Sequence, residues 1–128
     1  MNLKLPPYAT LLGISVFSAA DDEVVLTMPY ADTVMGRPGF LHGGAIAGLL
    51  EMALAATLHQ ALGDTQGEVR VKPINMTVNF MRGGRELTTY ATAHIDRLGT
   101  RVANVEAIAW QEDRAAPIAT AMCNFLKG

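Results

Sequence analysis

The sequence predicts an α+β fold in which an antiparallel sheet of about five to six strands wraps around one long central helix. Three observations support this class: a helix-length run, 45–58, that is almost entirely small or apolar; several later strand-like segments separated by short turns; and a shorter hairpin before the helix. At 128 residues, the chain is expected to form one domain, residues 1–128.

The N-terminal region is expected to supply a short helix and a hairpin. The segment PPYATLLGI can begin a helix at its proline pair and end it at Gly13. In ISVFSAADDEVVLTMP, two strand-like runs flank the turn residues Asp21 and Asp22. Residues 30–42 contain Pro and Gly and are predicted to be a loop.

The long helix is predicted to run from Gly43 or Gly44 to Leu62, with Gly63 as a left-handed C-terminal cap. Its apolar residues extend almost all round the helix, which is typical of burial on every side. Because a sheet covers only one side, the other side is expected to contact a second copy of the chain.

The C-terminal half is predicted to be an antiparallel meander. In INMTVNFM, the apolar residues Ile74, Met76, Val78 and Phe80 alternate with polar ones, as in a half-buried strand. Turn signals occur at 83–84, 98–100 and 112–114. The strand-like segments are about 69–82, 87–98, 101–112 and 115–126.

Composition excludes several classes of function. A net charge of −2 gives no general attraction to nucleic acid. The single Cys123 excludes an intramolecular disulfide framework and fits a cytoplasmic setting. No signal peptide or membrane-spanning segment is expected, because no apolar run has the required length.

The start of the long helix carries the first candidate chemistry. Gly43 and Gly44 leave backbone N–H groups open at the positive end of the helix dipole, where they can polarise a carbonyl oxygen or simply pack closely. Glu51 is a lone carboxylate in an apolar helix, which requires either a neighbouring partner or a function. At 1.5 Å per residue, it lies about 12 Å along the helix axis from Gly43. If both act on one carbonyl group, an antiparallel second helix must supply one of them.

The chain resembles the PaaI-like group of hotdog-fold acyl-CoA thioesterases, in the 4-hydroxybenzoyl-CoA thioesterase superfamily. The resemblance rests on PPYATLLGISV, DDEVVLTMP, GFLHGGAIAGLLEMALAATL, VKPINMTVNFMRGG and ATAMCNFL, and above all on G-x-x-H-G-G followed by Glu51. It implies hydrolysis of an aromatic or medium-chain acyl-CoA to free acid and CoA. The Gly43 N–H, with help from Gly44, would polarise the thioester, and Glu51 of the other protomer would be general base or nucleophile.

The resemblance also implies roles for His42 and Gly48, and at some positions this chain departs from the family pattern. His42 would set the approach to the helix, and Gly48 would lie beside the acyl pocket. Relatives often carry Asn or Gln where this chain has Gly36, and some carry a hydroxyl where it has Ala55. No cofactor beyond the CoA of the substrate is implied, and neither His59 nor His94 has ligand spacing with His42, so no metal site is predicted.

Four arginines are predicted to contact the CoA phosphates as a group. For any one of them, a solvated position at a strand end is an equal alternative. The four residues are Arg82, Arg85, Arg97 and Arg101.

Two rival functions stay open. A non-catalytic acyl-CoA-binding protein is favoured by the loss of the Asn, and a hotdog dehydratase is disfavoured because no His precedes His42. The predicted assembly is a homodimer or a dimer of dimers, a homotetramer.

Overall fold

A computed structural model describes residues 3–20, 22–64 and 66–127. The helices are α1 (Pro7–Leu11) and α2 (Gly43–Ala61), and a 3-10 turn spans Asp32–Val34. The strands are β1 (Ser15–Ala20), β2 (Glu23–Met28), β3 (Val71–Phe80), β4 (Thr89–Leu98), β5 (Val102–Trp110) and β6 (Ala119–Lys127).

The predicted elements are confirmed with small changes at their ends. Gly13 and Gly63 have φ of +73° and +71°, in the left-handed region expected where each helix ends. Of the two predicted turn residues in the first hairpin, Asp22 lies in a turn, whereas Asp21 lies outside the described residues.

The six strands form one antiparallel sheet in the order β1-β2-β4-β5-β6-β3. This six-stranded sheet with one long helix is the hotdog arrangement. The prediction of a single meander from β3 to β6 is wrong, because β3 pairs with β6 at the sheet edge rather than with β4. Instead of a tight hairpin, the segment after β3 passes under the start of α2, where the Leu41 N–H donates to the Gly84 carbonyl at 2.9 Å.

Helix α2 packs into the concave face of the sheet because that face is lined with alanine. In β5 and β6, buried alanines alternate with more exposed residues, and β4 adds the buried Ala91 and Ala93, so the small side chains let the helix approach closely. Leucines of the helix fill the space between them: Leu49, Leu50, Leu54 and Leu58 are fully buried. Among the described residues, no helix combines the length and apolarity needed to span a membrane.

Strand β3 forms an edge of the sheet. Met76 and Val78 pack against the core as predicted, but Ile74 and Phe80 are 58% and 57% exposed. A register shift between Pro73 and Asn75 interrupts the predicted alternation at Ile74. The outer edge of β3 therefore carries exposed apolar side chains and no neighbouring strand within the described chain.

Candidate functional site

The N-terminus of α2 presents one free backbone donor. His42 is the N-cap residue, and its Nδ1 accepts a hydrogen bond from the Gly44 N–H at 2.8 Å. The Gly43 N–H has no acceptor within the described chain. His42 thus fixes the start of the helix and occupies one of the two predicted donors, leaving the amide of Gly43 at the positive end of the helix dipole.

A groove opens beside Gly43 at the end of β3. A Cβ atom placed at Gly43 would lie 3.5 Å from the Phe80 ring, and Arg82 lines the same groove. An acyl carbonyl could therefore approach the Gly43 amide along the exposed end of β3. Arg82 therefore lies near the helix start, and its predicted contact with CoA stays a prediction.

Glu51 lies on the partly exposed side of α2 and has no hydrogen bond or ion pair with any described residue. Burial raises the pKa of Cys123 in β6 to about 11, and the nearby Glu51 charge adds to that increase. Because Glu51 and Gly43 belong to one continuous helix, about 12 Å separates them along its axis. A single chain does not bring the carboxylate and the free amide together.

Helix α1 fills the space beside Gly48. A Cβ atom there would lie 2.7 Å from Leu12 Cδ1 and 3.0 Å from Tyr8 Oη, so Gly48 permits close packing of the two helices. These two side chains occupy the space beside Gly48. The predicted position of Gly48 beside the acyl pocket stays a prediction. Gly36 is similarly enclosed, because a Cβ there would lie 3.0 Å from the Cα of His42.

The four predicted arginines separate into two pairs. Arg85 lies beside the helix start, where its guanidinium is 4.4 Å from the centre of the Phe40 ring. Arg37, which the sequence did not single out, lies 4.2 Å from the same ring centre. Arg97 and Arg101 flank the β4–β5 turn at the other end of the sheet, roughly one strand length, on the order of 25 Å, away. The structure joins Arg82 and Arg85, but not all four.

Two further clusters contain histidines for which the sequence predicts no metal-binding role. His59 Nδ1 lies 2.8 Å from Asp64 Oδ2, beside a cavity at the C-terminal half of α2. On the exposed face of the sheet, His94 Nε2 lies 2.9 Å from Asp96 and 3.3 Å from Glu106.

The spacing of the histidines could not reveal the second cluster, because the pairing of β4 with β5 places His94 opposite Glu106. Its three side chains have the donor atoms to hold a metal ion.

Comparison with known proteins identifies relatives of the whole arrangement. Residues 38–118, which include the α2 start, Glu51 and strands β3 to β5, match the sequence profile of the thioesterase superfamily. No curated protein matches the chain.

Solved structures share the fold across nearly the full chain. A phenylacetic acid degradation-related protein from Ralstonia eutropha JMP134 has a TM-score of 0.80 and 18% identity, covering 96% of this chain and 91% of its own. Zebra fish thioesterase superfamily member 2 has a TM-score of 0.78 and 21% identity, with 91% and 82% covered. A thioesterase from Haemophilus influenzae has a TM-score of 0.79 and 21% identity, with 94% and 82% covered. At these identities the likeness establishes the fold.

Proposed function

The chain belongs to the thioesterase superfamily, and we propose that it hydrolyses an acyl-CoA thioester to the free acid and CoA at a site shared by two copies. Membership indicates thioester hydrolysis in general. The acyl-CoA substrate, the residues and the shared site are the proposal. The observation that carries it is the free Gly43 amide at the start of α2, next to a groove that a substrate can enter.

The Gly43 amide supplies electrophilic assistance. A thioester carbonyl that accepts its hydrogen bond at the positive end of the helix dipole is polarised, and the same donor stabilises the negative charge that develops on oxygen during attack. Gly44 does not share this work, because its N–H already donates to His42. One amide and the dipole therefore act together.

Glu51 of the second copy supplies the base or the nucleophile. As a base, the carboxylate takes a proton from water, the hydroxide adds to the carbonyl carbon, and the C–S bond breaks with the proton passing to the CoA thiolate. As a nucleophile, the carboxylate itself displaces the thiolate, and water then hydrolyses the resulting anhydride. An unlabelled first acid from a single turnover in H₂¹⁸O identifies the nucleophile route, because attack of water on the Glu51 carbonyl of the anhydride leaves an oxygen of Glu51 in that acid, whereas the base route puts a labelled oxygen into it.

The edge strand supports the dimer. Its exposed apolar residues and unpaired backbone favour antiparallel pairing with β3 of a second copy, which extends the sheet and brings the two α2 helices side by side. In that arrangement the start of one helix lies near the middle of the other, as the separation of Gly43 from Glu51 requires. Light scattering tests it: a purely monomeric, active protein contradicts the shared site.

Thiol release from a panel of aromatic and medium-chain acyl-CoAs tests the activity. Wild type is expected to turn over part of the panel, whereas Glu51→Ala and Glu51→Gln lose turnover on all of it. Equal rates for wild type and both variants would reject the enzyme and favour a non-catalytic acyl-CoA-binding protein, which the missing polar side chain at Gly36 also supports.

Mixed dimers test the sharing directly. Gly43→Pro removes the free amide, and Glu51→Gln removes the carboxylate, so each homodimer is expected to be inactive. Random pairing of equal amounts gives heterodimers with one intact site, restoring about a quarter of wild-type activity. No restoration would place both groups in the same chain's site.

Recognition of CoA is assigned to the arginines at the helix start. Arg82→Ala and Arg85→Ala are expected to raise the KM for acyl-CoA by about 10-fold, because each loses a charge-assisted contact with phosphate. The KM for the matching acyl-pantetheine, which lacks the nucleotide phosphates, should change little. Arg97→Ala and Arg101→Ala undergo the same test, and an equal effect would extend the CoA site to the β4–β5 turn.

A further inference from the structure

Three side chains that can ligate a metal converge on the face of the sheet that points away from α2. His94 and Asp96 lie in β4, and Glu106 lies in β5. The His94 Nε2 atom is 2.9 Å from Asp96 Oδ1 and 3.3 Å from Glu106 Oε2. One ligand atom from each residue lies within 4.8 Å of the other two. An imidazole nitrogen and two carboxylate oxygens are therefore available at one point of the surface.

Paired strands hold this cluster together. β4 and β5 are the two middle strands of the sheet, and their register places His94 opposite Glu106. The register shifts between Ile95 and Arg97, so Asp96 is the extra residue of a bulge, and its carboxylate reaches the same ring nitrogen. The backbone of all three residues belongs to strands rather than to a loop, which reduces the ordering that a bound ion requires.

The charge of the cluster is unbalanced. No lysine or arginine of the described chain forms an ion pair with Asp96 or Glu106, so their carboxylates have His94 as their shared partner. When the ring is neutral, a single proton on Nε2 must serve both oxygens. A divalent cation in place of that proton accepts the Nε2 lone pair and is attracted by both carboxylates, and the ring then carries its proton on Nδ1.

The distances in the cluster match those of a coordination shell. Imidazole nitrogen and carboxylate oxygen bind Zn²⁺ at about 2.0–2.2 Å, so two such ligands are about 3.4 Å apart at a tetrahedral angle and about 3.0 Å apart at a right angle. The two contacts of His94 Nε2 have these lengths. The three side chains are between 38% and 68% exposed, so an ion can enter from solvent and keep water at its remaining positions.

We propose that His94, Asp96 and Glu106 bind one divalent transition-metal ion, of which Zn²⁺ is the representative. Imidazole suits Zn²⁺, Ni²⁺ and Cu²⁺, whereas Mg²⁺ and Ca²⁺ prefer sites built from oxygen alone. The ion joins β4 to β5 and stabilises the folded sheet, because it binds the folded chain and not the unfolded one. The site lies on the face opposite α2, so the inference is independent of the proposed thioesterase function.

Calorimetric titration of ZnCl₂ into metal-free protein without a polyhistidine tag tests the site. Wild type is expected to bind Zn²⁺ saturably and Mg²⁺ far more weakly. His94→Ala and Glu106→Gln should each weaken Zn²⁺ binding by at least about 10-fold, because loss of a group that merely orients a metal ligand already costs that much. His59→Ala removes the other histidine that is paired with a carboxylate; it is the matched control and keeps the wild-type affinity.

The imidazole nitrogens and the melting temperature give two further measurements. The chain has three histidines, so the ring ¹⁵N signals of His94 are identified by their loss in His94→Ala. Zn²⁺ should shift the Nε2 signal of His94 and leave the rings of His42 and His59 unchanged. It should also raise the melting temperature of wild type but not that of His94→Ala.

Three results would overturn the site, and none of them depends on thioester hydrolysis. Absence of saturable Zn²⁺ binding to folded wild type leaves only an ion-paired cluster. Unchanged binding in His94→Ala, or a His94 ring that Zn²⁺ does not shift, places the ion elsewhere. Equal affinity for Mg²⁺ and Zn²⁺ removes the imidazole from the ligand set. Circular dichroism checks that each variant is folded.

Discussion

Replacing Gly43 with proline deletes a single hydrogen-bond donor and should leave the fold intact. Gly43 is the first residue of α2, a position that accepts proline, and His42 before it is extended, with φ −70° and ψ 133°, as a residue preceding proline must be. The nearest atom to an added Cβ is 3.5 Å away on Phe80, an ordinary contact. We therefore expect the melting temperature of Gly43→Pro to equal or slightly exceed that of wild type.

The catalytic effect should be large because no second amide replaces the lost one. Removal of a donor that stabilises a developing oxyanion costs about 10²- to 10³-fold in kcat, or roughly 3 to 4 kcal/mol. The neighbouring Gly44 N–H is bonded to His42 at 2.8 Å and cannot compensate without breaking the helix cap. Gly43→Ala keeps the N–H and adds the same Cβ, so its kcat should stay within a few-fold of wild type.

The assay is thiol release at saturating acyl-CoA, with thermal unfolding measured on the same preparations. If Gly43→Pro is folded and has the kcat of Gly43→Ala, the amide does not stabilise the transition state, and the reasoning fails. A rise in KM with unchanged kcat would show instead that the amide binds substrate and transition state equally. Either outcome would remove the helix start from the chemical step.

Three further predictions concern stability and reactivity. His42→Ala should lower the free energy of unfolding by about 1 kcal/mol in thermal or urea unfolding, whereas His42→Asn, which can still cap Gly44, should lose less. The pKa of Asp64 lies below its ordinary value of 3.8, because three hydrogen bonds outweigh the opposing effect of burial. Its stabilisation is therefore present above pH 3.8 and is lost as the pH falls through the lower folded-state pKa, so the gap in melting temperature between wild type and Asp64→Asn should shrink in acid. With a pKa raised to about 11 by burial, Cys123 should resist a thiol reagent at pH 8 until the protein unfolds; rapid labelling of folded protein would contradict this.

Local sequence pattern was sufficient for the helices and strands but not for the order of the strands. The α2 limits follow from a long apolar run between a glycine pair and Gly63, and no distant contact alters them. The place of β3 depends on the segment after it. From sequence, Gly83 and Gly84 predict a tight turn, yet a Cβ at Gly84 would lie 2.7 Å from Leu41 Cδ1, so this glycine permits close passage under the helix start. A glycine pair permits both uses, and only tertiary packing selects one.

The candidate site also contains some groups that local sequence reveals and others that only tertiary packing brings together. Glu51 could be found from sequence because a carboxylate in an apolar helix contradicts its local pattern, and contradictions of this kind concentrate at functional positions. The pairing of His59 with Asp64 contradicts nothing locally: it arises because the chain turns at Gly63 and folds Asp64 back against the helix it has just left. At His42 the predicted role of setting the approach to the helix agrees with the structure, because its Nδ1 accepts the Gly44 N–H as an N-cap. The amide of Gly43 and the carboxylate of Glu51 both lack a partner among the described residues, and the antiparallel second copy that we propose is the simplest arrangement that would make each useful to the other.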